Sequence, residues 1–148
     1  MEIEKLEQFL KEAKRETYAN KNAEKVSSTR LNSEDYEFKK GDFLYHDTYF
    51  GKYDFIGEEI VYFKDNPSWG MNYCGYVLSE EIDKEELYDF LKETLMKGYL
   101  RGQEVFEKND WRYENTLEGD LKRFTGIETI FFNKVLVYKA NYHGGLIK

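Results

Sequence analysis

The chain has 148 residues, 18% of them aromatic, and a formal net charge of −7. That length is one ordinary domain with ample apolar area for a core, and the composition argues against disorder. The acidic balance, with no Lys and Arg stripe to offset it, excludes direct binding to a phosphate backbone, and no apolar run approaches the ~20 residues that span a bilayer.

In chain order, Ile3, Leu6, Leu10, Ala13 and Thr17 recur at helical spacing, which predicts an amphipathic helix over residues 2–18. A polar, aperiodic loop follows at 20–34. It reads either as a mobile surface loop or as a lid whose Ser27, Ser28, Thr29 and Arg30 supply hydrogen bonds and one fixed positive charge to a bound group. Strand-like segments come next at 42–50, 54–63 and 69–78, divided by Gly51-Lys52 and Asp65-Asn66-Pro67. Asp83 and Glu86 have the spacing of a capping box, and Leu87, Phe90, Leu91 and Leu95 place a second helix at 84–97, ending near Gly98. Three more strands are expected at 110–118, 123–132 and 135–143.

The two runs of elements read as copies. Phe55-x-Gly57-x-Glu59 matches Phe124-x-Gly126-x-Glu128, and Asn72-Tyr73-x-Gly75 matches Asn141-Tyr142-x-Gly144. Asp42-Phe43-x-Tyr45-x-Asp47-Thr48 matches Asp110-Trp111-x-Tyr113-x-Asn115-Thr116, and Tyr18 after the first helix matches Tyr99 after the second. The expectation is an α+β fold: a duplicated α-β-β-β unit, repeats at about 2–78 and 83–148, forming one curved antiparallel sheet of about six strands with both helices on one face. Residues 1–148 would then be a single domain, because each copy is too short to bury a good core alone.

Strand parity sorts the side chains into faces. Tyr45 and Asp47 share a face with each other, as do Tyr113 and Asn115; Glu59 and Glu128 stand among Phe, Val and Ile; Trp69 and Tyr73 match Tyr138 and Tyr142. This aromatic face should turn towards the helices. Carboxylates in such company must be paired, hydrogen-bonded or raised in pKa. One reading gives them a purely structural role, bonded to tyrosine hydroxyls or backbone amides. The other leaves part of the face uncovered as a cleft. Glu59, Glu128, Asp47, Tyr45, Tyr113, Trp69, Tyr73, Tyr138 and Tyr142, with Arg30 from the loop, are then the ligand-binding candidates, suited to a cationic or amphipathic small molecule.

Catalytic and metal signals are weak. Cys74 and His143 follow the two Asn-Tyr dipeptides and would be a nucleophile and base only if they met in space. His46 and His143 have no metal-ligand spacing, and no Gly-rich phosphate motif occurs, so neither metal nor cofactor is expected. The lone cysteine and the charged start Met1-Glu2-Ile3-Glu4-Lys5 fit a cytoplasmic protein without a leader.

Several stretches resemble the bacterial domain-of-unknown-function family 5680. They are Phe9-Leu10-Lys11-Glu12-Ala13-Lys14 with Thr17-Tyr18-Ala19, Gly41-Asp42-Phe43-Leu44-Tyr45-His46-Asp47-Thr48-Tyr49, Phe55-Ile56-Gly57-Glu58-Glu59, Trp69-Gly70-Met71-Asn72-Tyr73-Cys74-Gly75, Glu118-Gly119-Asp120 and Tyr142-His143-Gly144-Gly145-Leu146-Ile147. The resemblance implies a bacterial cytoplasmic protein of a kind that stands alone or follows an XRE-type helix-turn-helix, hence an effector-sensing module. It brings no catalytic residues, and Cys74 departs from the tyrosine associated with that position.

The leading expectation is a non-catalytic, small-ligand-sensing or regulatory domain. The alternatives are a small enzyme using buried Glu and His as acid–base groups, and an interaction module that dimerises or docks on a partner.

Overall fold

The computed structural model describes residues 2–148. Its elements are α1 (Ile3–Glu16), β1 (Glu34–Lys40), β2 (Phe43–Gly51), β3 (Phe55–Phe63), β4 (Asn66–Val77), α2 (Lys84–Leu95), β5 (Val105–Lys108), β6 (Trp111–Asp120), β7 (Arg123–Phe132) and β8 (Val135–Leu146). The strands form one antiparallel 8-stranded sheet in the order β1-β2-β3-β4-β8-β7-β6-β5. The order runs outward from the central β4–β8 pair, in which Tyr73 lies opposite Tyr142.

The expected sheet of about six strands is therefore corrected to eight, and the fold is mostly sheet. The two additional strands, β1 and β5, are the sheet edges, each paired on one side only. Their sequences, EDYEFKK and VFEK, are short or charge-rich, and no burial on both sides gives them a strong apolar pattern. The hairpins that attach them turn at Gly41 (φ +58°) and Asn109 (φ +54°). Two further hairpins carry positive φ at both turn residues, Lys64 with Asp65 and Asn133 with Lys134, the twist that suits two-residue loops.

Helix boundaries follow local chemistry. Asp83 caps α2, its side chain accepting from the backbone N–H of Glu85 (2.9 Å) and Glu86 (3.0 Å). The other half of the expected capping box is absent, because the Glu86 carboxylate accepts from Trp111 Nε1 instead (2.9 Å). Helix α1 buries Leu6, Phe9, Leu10 and Ala13, and with them Lys14.

Both helices cover the same face of the sheet. Inward side chains of β2–β4 (Tyr45, Val61, Trp69, Met71, Tyr73) pack with α1, and those of β6–β8 (Trp111, Tyr113, Ile130, Tyr138, Ala140) pack with α2. The two clusters are interlocked. Leu100, after α2, packs into the first; Ala19, after α1, packs into the second; Phe55 touches both.

The glycine of the Phe-x-Gly-x-Glu motif has a structural reason. A Cβ at Gly57 would lie 2.4 Å from the Tyr73 ring and hydroxyl, and one at Gly126 would lie 2.0 Å from the Tyr142 ring. Each glycine lets a tyrosine of the neighbouring strand lean across β3 or β7 to the strand beyond. There the Tyr73 hydroxyl donates to Asp47 (2.6 Å) and that of Tyr142 to Asn115 (2.8 Å). Gly57→Ala and Gly126→Ala each force a buried tyrosine off its partner. We expect each to lower unfolding free energy by about 1–3 kcal/mol, measured by urea denaturation.

Candidate functional site

Alternation sends Glu59 and Glu128 into the interior, both fully buried. An ionised carboxylate there requires a counter-charge. Glu59 receives it from Lys14 on α1, whose Nζ lies 3.2 Å from Oε2, hydrogen-bonds Oε1 at 3.4 Å and also bonds the Leu100 carbonyl. Glu128 receives it from Arg101, on the link between α2 and β5, at 2.8 Å, and also accepts from the Tyr113 hydroxyl at 2.6 Å. Burial, opposed by Glu59, holds the Lys14 ammonium below its usual range. Burial also works against the Arg101 charge, but neighbouring Glu128 outweighs it and keeps that guanidinium above its usual range.

Asp47 differs. Its register partner on β3 is Glu59, its side chain is buried, and its Oδ1 accepts only the Tyr73 hydroxyl. Burial, then the negative charge of Glu59, push its pKa up to about 8, against the Tyr73 hydrogen bond and the charges of Lys14 and Arg101.

Asp47 also borders a cleft of about 420 Å³ between α2 and the covered face of β1–β4. Phe55, Tyr73, Tyr88, Leu91 and Arg101 are among the side chains that line it. The Phe55 ring meets those of Tyr73 and Tyr88 edge-on at 5.9 and 6.2 Å, and the Arg101 guanidinium lies over Tyr73 at 5.5 Å. At the mouth, Lys25 pairs with Glu34 (2.8 Å) and Lys52 with Glu85 (3.0 Å). Within and beside the cleft, the Tyr18 and Tyr45 hydroxyls and Arg101 Nε are buried without a hydrogen-bond partner among the described residues. The cleft thus combines aromatic rings with one carboxyl, Asp47, that has no ion-pair partner among the described residues.

The ten candidate residues distribute unevenly. Asp47 and Tyr73 line the cleft. Glu59, Glu128, Tyr45, Tyr113, Tyr138 and Tyr142 are buried in the core and do not line it. Trp69 is packing core, its Nε1 donating to the Leu121 carbonyl at 3.1 Å. Arg30 lies elsewhere, with its exposed side chain paired to Glu58 at 3.2 Å.

The loop at 20–34 is anchored to the sheet through Asp35 on β1. The Thr29, Ser33 and Thr48 hydroxyls converge with His46 on the buried Asp35 carboxylate; Thr29 Oγ1 is at 2.6 Å and His46 Nε2 at 2.7 Å. Burial acts to raise Asp35, but these hydrogen bonds prevail and hold it well below the usual carboxylate range. Ser28 bonds the Ser33 carbonyl. The Thr29 and Ser33 hydroxyls are thus engaged within the protein, and Lys25 and Glu34 are the residues of 20–34 that line the cleft.

Cys74 and His143 fall on the uncovered face of neighbouring strands, but in different register rows: Cys74 opposes Asn141 and His143 opposes Asn72. No hydrogen bond joins them among the described residues, and no group of three or more His, Cys, Asp or Glu there is arranged to hold a metal. No helix of the described residues is long and apolar enough to cross a membrane.

Sequence reasoning missed Lys14, Arg101, Phe55 and Tyr88. Lys14 was detectable, since it follows Leu10 by one helical turn on the apolar stripe of α1. Tyr88, Leu91 and Leu95 likewise share one side of α2. Arg101, in an irregular link, carries no local signal.

A family model described as Domain of unknown function (DUF5680) matches residues 47–147. The match begins at Asp47, so the resembling stretches in α1 and at the start of β2 lie outside it. No curated protein and no solved structure matches the chain.

Two outcomes follow from these charges. Lys14→Met leaves Glu59 buried without a counter-charge and should cost about 3–5 kcal/mol in urea denaturation, most of it recovered by adding Glu59→Gln. Asp47 keeps its proton in the folded state up to about 8 but loses it near 3.8 when unfolded. Its stabilising contribution is therefore complete below 3.8 and lost as pH rises through about 8. Between pH 6 and pH 8, wild type should lose on the order of 1 kcal/mol per pH unit relative to Asp47→Asn, as read from thermal melts.

Proposed function

The chain belongs to the DUF5680 family, and from that premise we propose that it is a non-catalytic, small-ligand-sensing or regulatory domain whose ligand is a cationic or amphipathic small molecule. The observation that carries this reading is the 420 Å³ aromatic cleft that Asp47 helps to line. A volume of that size falls within the range of small-molecule sites. Phe55, Tyr73 and Tyr88 offer ring faces and edges, and Asp47 is the one buried acid of the covered face without an ion-pair partner among the described residues. We also propose that the halves at about 2–78 and 83–148 descend from a duplicated unit, now α-β-β-β-β, fused into a single domain at 1–148. The setting implied by the family resemblance is a bacterial cytoplasm.

The acid–base enzyme alternative draws less support. Glu59 and Glu128 are neutralised by Lys14 and Arg101, and His143 is exposed on the face away from the cleft. The homodimer or docking alternative is favoured by the uncovered face, where Ile56, Tyr76 and Ile127 are exposed. Asn72, Lys139 and Asn141 are exposed on the same face and dilute its apolar character.

Thermal-shift screening with aromatic amines and amidines tests the reading. A binding cation should raise the melting temperature, and Tyr88→Ala should weaken its affinity by about tenfold while leaving a folded protein. Absence of stabilisation by every aromatic cation, with the cleft still open in an experimental structure, would remove the reading.

A further inference from the structure

The two halves of the sheet satisfy one position differently. Asn115 is bonded on both sides: Oδ1 accepts from Tyr142 (2.8 Å), and Nδ2 donates to the Gly102 carbonyl (3.0 Å). The Gly102 N–H in turn donates to the Tyr113 hydroxyl at 3.0 Å. Asp47 holds the register-equivalent place. Each residue opposes the buried glutamate of the next strand, Glu59 or Glu128, and each accepts a tyrosine hydroxyl from the strand after that.

No peptide group hydrogen-bonds the Asp47 side chain as that of Gly102 does Asn115. The chain leaving α1 buries Ala19 in the second cluster and then runs to the other face of the sheet, where Thr29 and Ser33 clasp Asp35. Asp47 Oδ2 consequently takes no hydrogen bond from the described residues, and Asp47 lines the cleft. Tyr45, the counterpart of Tyr113, has an unpartnered hydroxyl beside it.

In the second half that place is satisfied by the Gly102 carbonyl, which accepts from the Asn115 amide. Once ionised, an Asp carboxylate offers acceptor oxygens only where Asn offers an amide donor, so the complement of ionised Asp47 is a donor. A cation supplies the counter-charge that ionised Asp47 lacks, because Lys14 and Arg101 are already engaged by Glu59 and Glu128. Resting on the ligand-sensing reading above, we propose that the cleft takes a planar N–H cation, an amidinium or guanidinium on an aromatic body, whose N–H fork donates to the ionised Asp47 carboxylate in the place that the Gly102 carbonyl takes beside Asn115.

Binding is coupled to proton release. The ionisable groups around Asp47 are Tyr36 from β1, Tyr45 from β2, Glu59 from β3, Tyr73 from β4, Lys14 from α1, Tyr18 from the segment after α1 and Arg101 from the α2–β5 link, and among them Glu59 joins burial in holding the Asp47 proton. Arrival of the cation transfers that proton to solvent and leaves a charge-assisted N–H···O bond. Affinity then rises with pH by about tenfold per unit up to about pH 8.

Titration calorimetry with two probes tests this: benzamidine, a planar cation with N–H donors, and phenyltrimethylammonium, a cation of similar size with none. On the wild-type protein between pH 6 and 8, benzamidine should release about one proton per site, seen by comparing buffers of different ionisation enthalpy. Phenyltrimethylammonium should bind about tenfold more weakly or worse. Asp47→Asn should abolish both the proton release and the pH slope. Equal or tighter binding of phenyltrimethylammonium, or a benzamidine affinity flat in pH, overturns this proposal and leaves the cation-sensing reading standing. Binding of neither cation overturns both. The probe comparison is made on wild type, so the result does not depend on how well the variant folds.

Discussion

Two glutamates forced indoors by strand parity, Glu59 and Glu128, govern how the covered face of this protein is assembled. A strand cannot turn one residue out without turning its neighbours in, so each acid enters the core with the aromatic residues that flank it. The cost of burying such charges is met by cations from outside the sheet, Lys14 on α1 and Arg101 on the link after α2. Those two pairs tie each helical segment to the strands beneath it. The Lys14 ammonium, by also binding the Leu100 carbonyl, ties α1 to the tail of α2. Charge neutralisation and apolar interlocking through Leu100 and Ala19 thus run through the same few residues.

Asp47 is the exception that turns a core into a candidate receptor. It stands beside Glu59, already matched one-to-one with Lys14, and Tyr73 offers it only a hydroxyl. In the other half the corresponding residue is a neutral amide, and the peptide of Gly102 bonds it. The difference traces to link length. Between α2 and β5 the chain is short and must cross the sheet directly. Between α1 and β1 it is long enough to run to the far face, where burial of Asp35 recruits its hydroxyls. A cleft remains on one side of a near-symmetric body, lined by Phe55, Tyr73 and Tyr88.

Local chemistry in the sequence determined a good deal. Helical spacing of Leu6, Leu10 and Ala13, the Asp83 cap, and the alternation of Tyr45 with Asp47 and of Val61 with Glu59 depend on neighbours along the chain, and these features stand in the structure. So does the association of Gly57 with Tyr73 and of Gly126 with Tyr142, present as a spaced pattern before its steric reason is visible. The edge strands β1 and β5 were not legible, because an edge strand packs on one side only and its sequence answers mainly to solvent. Only the tertiary structure decided which cation meets which acid, that Arg30 pairs with Glu58 and the loop hydroxyls with Asp35, and that Asp47 is left without a counter-ion. The physical reason is that ion pairing and cavity formation are set by distances between segments far apart in the chain, here Lys14 to Glu59 and Arg101 to Glu128, and no local pattern encodes those distances.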